Sequence, residues 1–107
     1  RVVLDFLSQS ETALARPFVM KDKELWRMWF SKRVGQYSIG YAESSDGINW
    51  RRRDEIYGLE PGDRPGEDEM VEYAVVIKSK NRNWLLYNGN DYGRFGIFHA
   101  KGFMFDN

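Results

Sequence analysis

Apolar residues in this 107-residue chain recur with a period of two, which is typical of β-strands. Tyr37, Ile39 and Tyr41 alternate with smaller or polar residues, and short apolar runs are bounded by polar turns such as residues 21–24. No segment carries an apolar stripe with a period of 3.6 residues, and residues 11–16 would form one helical turn at most. The pattern therefore predicts an all-β fold.

Eight strands follow from this pattern. One apolar strand at residues 2–7 precedes a unit of four strands, and a second unit supplies three. The predicted ranges in the two units are 16–21, 25–31, 37–44, 50–56, 72–78, 83–88 and 95–103. Antiparallel pairing of these strands predicts two four-stranded sheets.

The two units resemble each other in sequence. Val19-Met20-Lys21 matches Val76-Ile77-Lys78 at an offset of 57, whereas Trp26-Arg-Met-Trp29 matches Trp84-Leu-Leu-Tyr87 at 58. One inserted residue near Asn81 would explain the step. A repeat of this length predicts blades of a β-propeller. The chain then divides into a leading strand and linker, a first blade, an acidic loop and a second blade without its last strand, at 1–14, 15–57, 58–71 and 72–107.

Two blades cannot close a propeller ring. The chain is therefore expected either to be joined by the missing remainder of a propeller or to form a homo-oligomer. The strand at residues 2–7 would complete a blade in a neighbour.

The segment 44–50, Ser-Ser-Asp-Gly-Ile-Asn-Trp, joins the third and fourth strands. Asp46 can accept backbone N–H bonds within its own turn, Gly47 permits a positive φ, and Trp50 can fold back over the turn. We interpret the segment as a structural fastener. It resembles the Asp-box turn of sialidase-type propellers, although Gly47 comes one residue early.

The composition argues against several classes of function. Lys+Arg and Asp+Glu are balanced at 16 each, so no overall field attracts nucleic acid, and no apolar run approaches the ~18 residues of a membrane span. The chain has no Cys and a single histidine, His99, in a strand position. We therefore expect no metal and no cofactor. The sequence does not indicate a cellular compartment.

One end of the predicted blades gathers polar chemistry. The acidic loop 58–71, Arg16 and Glu72 meet there with the second-to-third strand loops at 32–36 and 88–93. The predicted substrate-binding residues are Arg16, Asn88, Asn90, Asp91 and Tyr92. Amides and carboxylates fix sugar hydroxyls and rings stack on pyranose faces, so a carbohydrate is the expected partner. The alternative interpretation is that Asn-Gly-Asn-Asp is only turn chemistry.

Several stretches together resemble a known group. Ala15-Arg-Pro-Phe-Val19, Trp26-Arg-Met-Trp-Phe-Ser31 and the run from Ile39 to Trp50 are similar to a blade of the five-bladed propeller glycosidases of the arabinanase, xylosidase and invertase type. Glu69-Met-Val-Glu-Tyr73 with Leu86-Tyr-Asn-Gly-Asn-Asp-Tyr-Gly93 resembles the last blade of an uncharacterised glycosidase-like branch. The resemblance covers almost the whole chain but only about two of five blades.

The resemblance implies an acid just before an inner strand. Glu72 occupies that place, with Ala74 where proline is expected, and Glu69 is the characteristic acid of the uncharacterised branch. Both are candidate catalytic residues, Glu69 being narrowly preferred as general acid. Glycoside hydrolysis needs two carboxylates, and at the repeat offset of 57 the first unit offers only Thr12 and Ala15.

The sequence thus predicts a glycosidase-like propeller module that acts on or binds carbohydrate and is inactive as an isolated monomer. The alternatives are a non-catalytic carbohydrate-binding or assembly module and a gene remnant without activity.

Overall fold

The computed structural model describes residues 1–79 and 82–101, which form two antiparallel β-sheets. The first sheet has the order β1-β2-β3-β4 and the second has the order β5-β6-β7. The elements are β1 Ala13–Asp22, β2 Leu25–Val34, β3 Gln36–Ser44, β4 Arg51–Arg52, α1 Asp54–Tyr57, β5 Glu72–Ser79, β6 Arg82–Asn88, α2 Asn90–Gly93 and β7 Ile97–Lys101. The predicted all-β class with two antiparallel sheets is confirmed, and the second sheet has three strands within the described residues.

The main core lies between the two sheets. Trp29 and Tyr41 of the first sheet pack against Leu85 and Tyr87 of the second, and all four are at most 3% exposed. The rings of Trp29 and Tyr41 have centroids 5.0 Å apart, and the indole N–H of Trp29 donates to the carbonyl of Tyr57 over 3.1 Å. Burial of these rings stabilises the packing of the two sheets against each other.

The strand pairing confirms the repeat and relocates its extra residue. Phe18 pairs with Trp29 in the first sheet and Val75 pairs with Leu86 in the second, so the offset is 57 in both strands. The offset becomes 58 only in the third strands, where Ser31 pairs with Ile39 and Asn88 with Ile97. The insertion therefore lies in the connection 89–96. The prediction near Asn81 is wrong, and that residue itself lies outside the described residues.

The second sheet has an outer face that points away from the first sheet. Strand register places on it the side chains of Val75, Ile77, Trp84, Leu86, Ile97 and His99. Ile77 is 47% exposed and Ile97 is 73% exposed. The equivalent positions in the first sheet include Met20, Trp29 and Tyr41, which the second sheet covers. The outer face thus repeats a surface that is buried in the preceding sheet.

Residues 2–7 form no strand, and the predicted first strand is wrong. Two backbone N–H groups of this segment bond to carboxylates and not to a neighbouring strand. That of Phe6 donates to Asp5 Oδ1, and that of Leu7 donates to Glu11 Oε1. Leu4 instead packs on the far face of the first sheet, beside Met28 and Phe30.

The fourth strand is also shorter than the predicted range 50–56. It contains only Arg51 and Arg52, and α1 follows from Asp54. Asp54 ends the strand because its carboxylate accepts the backbone N–H of Tyr41 at 3.2 Å and binds Lys32 Nζ at 2.9 Å.

A buried ion cluster holds the chain start against the first sheet. Arg52 Nη2 lies 2.6 Å from Glu11 Oε2 and 2.7 Å from Asp54 Oδ2, and its guanidinium lies over the ring of Phe30. The sequence predicts at most a helical turn at residues 11–16, but β1 begins at Ala13 and Glu11 is buried in this cluster. The hydrogen bond with Arg52 is the main cause that keeps the pKa of Glu11 below its ordinary value.

The turn at 44–50 is the structural fastener that its sequence predicted. The Asp46 carboxylate accepts the backbone N–H groups of Asn49 and Ile48 at 2.8 and 2.9 Å. The indole N–H of Trp50 donates to the Gly47 carbonyl, and Gly47 has φ +78°. The bonds from Asn49 and Ile48 hold the pKa of Asp46 well below its usual range.

This turn predicts a specific acid sensitivity. Because the folded-state pKa of Asp46 is depressed, its stabilising contribution is complete above the unfolded-state pKa near ~4 and declines as the pH falls below it. Below that pH, Asp46→Asn is expected to reduce the proton uptake on unfolding by up to about one proton per molecule. Urea unfolding across a pH series measures how the free energy of unfolding changes with pH, which gives the proton uptake. Asp63→Asn, in the exposed acidic loop, is the control, and an equal reduction in both variants would contradict the assignment.

Candidate functional site

Two equivalent β-bulges lie at the centre of the candidate site. One interrupts β1 between Ala15 and Phe18, and the other interrupts β5 between Glu72 and Val75. Each bulge contains a non-glycine residue in the left-handed region, Arg16 with φ 53° and Tyr73 with φ 59°. Such a backbone costs about 1–3 kcal/mol and persists only where surrounding contacts impose it. These bulges aim side chains out of the regular sheet.

The bulges contact each other across the sheets. The guanidinium of Arg16 lies over the ring of Tyr73, with 4.8 Å from Cζ to the ring centroid. Ser31 Oγ accepts the backbone N–H of Tyr73 over 2.8 Å. Because Ser31 belongs to β2, this bond ties the first sheet to the start of β5.

Glu72 is completely buried beside this contact. Asn88 Nδ2 donates to its Oε1 over 3.1 Å, whereas its Oε2 has no hydrogen-bond partner among the described residues. Burial raises the pKa of Glu72, against the opposing effects of the Asn88 hydrogen bond and the positive charge of Arg16. A shielded carboxyl group with a raised pKa is typical of proton donors and of residues that orient them.

Glu69, in contrast, is exposed. The side chain of Asn90 fixes its position, since Asn90 Oδ1 accepts the backbone N–H groups of Glu69 and Met70 at 2.8 and 2.9 Å. Asn90 Nδ2 donates to Asp68 over 2.7 Å. Asn90 therefore fastens the end of the acidic loop from a buried position.

We define the tyrosine–arginine patch as Tyr37, Tyr73, Tyr92, Arg16 and Arg33. Tyr92 is 62% exposed and meets Tyr37 edge to face, with ring centroids 6.3 Å apart. Arg33 lies 5.9 Å from the centre of the Tyr37 ring. Burial is the main cause of the raised pKa of Tyr73, and the charge of Glu72 adds to it. The backbone carbonyl of Tyr37 accepts the N–H of Val71 over 3.1 Å, which joins β3 to the start of β5.

The predicted site residues take different places around this patch. Arg16 and Tyr92 lie in it, and Asp91 is exposed beside Arg94, with 3.4 Å between Oδ2 and Nη1. Asn88 and Asn90 are buried and engaged by internal hydrogen bonds. Direct contact of either amide with substrate stays a prediction.

Sequence reasoning did not single out Tyr37, Tyr73 or Arg33. One signal was available for Tyr73, because the offset of 57 places it at the position of Arg16. The conformations of Asp91 and Tyr92, with φ 56° and 55°, carried no clear signal, because two consecutive non-glycine residues seldom adopt the left-handed region.

His99 occupies a strand position, as predicted, and lies on the outer face with its ring 5.3 Å from that of Trp84. Among the described residues, no group of three or more His, Cys, Asp or Glu residues is arranged to hold a metal ion. Within the same part of the chain, neither helical turn has the length and apolar character to cross a membrane.

Two curated proteins of Mycobacterium tuberculosis are similar to this chain in sequence. The chain is 34% identical over 97 residues to "Uncharacterized protein Rv1502" of Mycobacterium tuberculosis strain H37Rv and to "Uncharacterized protein MT1551" of strain CDC 1551. The match covers 91% of this chain and 32% of each relative, so the chain spans about a third of the length of these curated relatives. No protein-family model matches the chain.

Solved structures show the same arrangement of sheets. A complex named for BT0996 and RGII aligns with a TM-score of 0.72, and a structure named "Glycoside hydrolase" aligns with a TM-score of 0.68. Each is 16% identical and is matched over 94% of this chain and 35% of its own length. The chain therefore has part of a glycosidase-like fold, and its two sheets are consistent with blades of a partial propeller.

Proposed function

We propose that this pair of sheets binds carbohydrate at the tyrosine–arginine patch and contributes a carboxylate to glycoside hydrolysis. The observation that carries the proposal is the placement of exposed and half-buried tyrosine rings and exposed guanidinium groups beside Glu72, where the two bulges meet. Pyranose faces stack on aromatic rings, and hydroxyls require fixed donors and acceptors. The glycosidase-like fold supports the same substrate class.

The two candidate acids take different roles in this proposal. Glu69 is exposed, so it is the carboxylate that contacts the substrate. Glu72 is shielded and held by Asn88, so it acts as a positioning residue whose carboxyl group supports the bulge at Tyr73. This division agrees with the preference for Glu69 that the sequence suggested.

Hydrolysis requires a second carboxylate about 5–9.5 Å from the first. The strand register assigns Ala15 as the counterpart of Glu72, and the same offset gives Thr12 as that of Glu69. The first sheet therefore offers no equivalent acid. In this proposal the second carboxylate comes from outside the 107 residues, and the isolated chain binds glycans without cleaving them.

Glycan binding tests the proposal. Tyr92→Ala is expected to weaken binding about 2- to 10-fold, because an exposed stacking ring is lost. Calorimetric titration of the chain with a panel of neutral and acidic oligosaccharides measures the affinity, and Phe6→Ala, which removes another exposed ring, is the control. Absence of binding to every glycan would refute the proposal.

The role of Glu69 is tested by reducing-end release from the same glycans, in any assembly that shows cleavage. Loss of cleavage with retained binding in Glu69→Gln supports the catalytic assignment. Cleavage that survives Glu69→Gln contradicts it. Binding without cleavage in every assembly favours the non-catalytic alternative.

We also propose that the outer face is an assembly surface occupied by a sheet from a second copy of this chain. The equivalent face of the first sheet is covered by Leu85 and Tyr87, whose own register equivalents are Met28 and Phe30. The Met28–Phe30 face of another copy has the matching pattern, but Leu4 packs on it in the single copy, where Met28 is 6% and Phe30 is 2% exposed. The proposed contact therefore requires the chain start to move off this face. The same face borders an apolar cavity of about 320 Å³ that is lined in part by Val3 and Leu4.

A further inference from the structure

Arg16 differs from the buried arginines of this protein in its charge environment. Arg27 and Arg52 each lie within 4 Å of two carboxylates. Arg16 is exposed, and within residues 1–79 and 82–101 no carboxylate lies within ion-pair distance of its guanidinium. A strained backbone conformation holds this cation at the candidate site with no carboxylate within 4 Å among the described residues.

The contact with Tyr73 prepares Arg16 for a planar anion. The N–H donors of a guanidinium lie in its own plane, where a carboxylate can accept two parallel hydrogen bonds, and the Tyr73 ring, 4.8 Å from Arg16 Cζ, supports the group. Tyr37 bonds through its carbonyl to the N–H of Val71, beside Glu72. The Tyr37 ring meets that of Tyr92, and Arg33 adds a second positive charge beside it.

The nearby acids do not cancel this preference. Asp91 is exposed and lies beside Arg94, and Asp68 accepts a hydrogen bond from Asn90. Glu72 is completely buried, accepts a hydrogen bond from Asn88 and lies outside ion-pair distance of Arg16 in the described residues. Glu69 is exposed as well, consistent with its proposed contact with a reacting sugar.

Resting on the proposed carbohydrate function, we propose that the tyrosine–arginine patch selects a uronic acid, with the sugar carboxylate paired to Arg16 and the sugar ring stacked on the tyrosines. A neutral sugar would leave the charge of Arg16 without a partner. The geometry of the tyrosine–arginine patch therefore predicts the class of sugar that binds, as well as the binding itself.

The test compares each acidic glycan with its neutral methyl ester, which differs only in the charge and the ester methyl group. Oligomers of galacturonic, glucuronic and mannuronic acids and their methyl esters are titrated into the full chain by calorimetry at low and high salt. At least one acid is expected to bind about 10-fold or more tightly than its ester at low salt, because a charged hydrogen-bonded pair is lost in the ester. Added salt should reduce the difference.

Arg16→Gly supplies the decisive variant, since glycine accepts the left-handed backbone and the fold is retained while the guanidinium is lost. It should bring acid and ester to within about 2-fold of each other. Arg51→Gln, at the exposed edge of β4, has the same charge change and should preserve the preference.

Three outcomes would overturn the inference. Equal binding of every acid and its ester overturns this inference alone and leaves the carbohydrate function standing. A preference that survives in Arg16→Gly places the carboxylate elsewhere. Absence of binding to all glycans, neutral or acidic, overturns the proposed function and the inference together.

Discussion

Replacing Trp29 with alanine is expected to lower the free energy of unfolding by about 3–5 kcal/mol, enough to leave little of a small domain's stability. Trp29 is completely buried between the sheets. Its truncation removes the packing against Tyr41 and leaves the Tyr57 carbonyl without the indole donor. Since both sheets meet at this ring, the surrounding strands cannot collapse into the cavity without separating from their partners.

Urea unfolding followed by circular dichroism measures this loss. Trp26→Ala is the matched control, because Trp26 is only half-buried and packs beside the turn at Gly47. We expect it to cost about 1–2 kcal/mol. If Trp29→Ala cost no more than Trp26→Ala, the inter-sheet core would not be the main source of stability.

Placing glutamate at both Ile77 and Ile97 is expected to change the solution mass of the chain at least two-fold. The unmodified chain of 12.6 kDa should form oligomers through the outer face, where these side chains are 47% and 73% exposed in the single copy. Two carboxylates in an apolar interface would be desolvated without partners, a cost of several kcal/mol that favours the monomer.

Light scattering over a range of concentrations measures the mass. Ile48→Glu with Ile56→Glu adds the same charge at exposed positions outside the outer face and should leave the oligomer intact. A monomeric unmodified chain would contradict self-association through this face. An oligomer that persists in Ile77→Glu/Ile97→Glu would place the interface elsewhere.

Local sequence patterns predicted the central strands because large apolar side chains alternate along them with small or polar ones, although both sets are buried in β3. The alternation of Tyr37, Ile39 and Tyr41 is the clearest case, and it lies in β3. The turn at Asp46 was equally predictable, since its hydrogen bonds connect near neighbours in the chain. Where the forces were local, sequence and structure agree.

The errors came from long-range contacts. Residues 2–7 are apolar enough for a strand, but the bond from Leu7 to Glu11 and the pairing of Glu11 with Arg52 hold the segment in another path. That pairing joins residues 41 positions apart, which no local pattern reports. The sequence comparison misaligned the repeat because Trp26 and Trp84 are the same residue type. Strand register instead makes Trp84 the equivalent of Arg27.

The candidate site was predictable in composition but not in arrangement. Arg16, Tyr92 and the two acids follow from the sequence, and the structure adds that Glu72 is buried while Glu69 is exposed. Whether Asn88 and Asn90 face substrate or the protein interior depends on the path of the acidic loop, because Asn90 binds the backbone at its end. That path is a tertiary property, so the sequence alone did not predict it.

At the paired bulges of Arg16 and Tyr73, the residue type that would be most stable differs from the one that the proposed binding site needs. Glycine at either position would relieve an unfavourable backbone, yet it would also delete the guanidinium or the ring on which the proposed site depends. Selection for thermal stability alone would therefore favour glycine at these two positions and remove the proposed site. In a collection of natural variants, retention of large side chains at both positions would mark the chains that still bind, and glycine would mark those kept only for their fold.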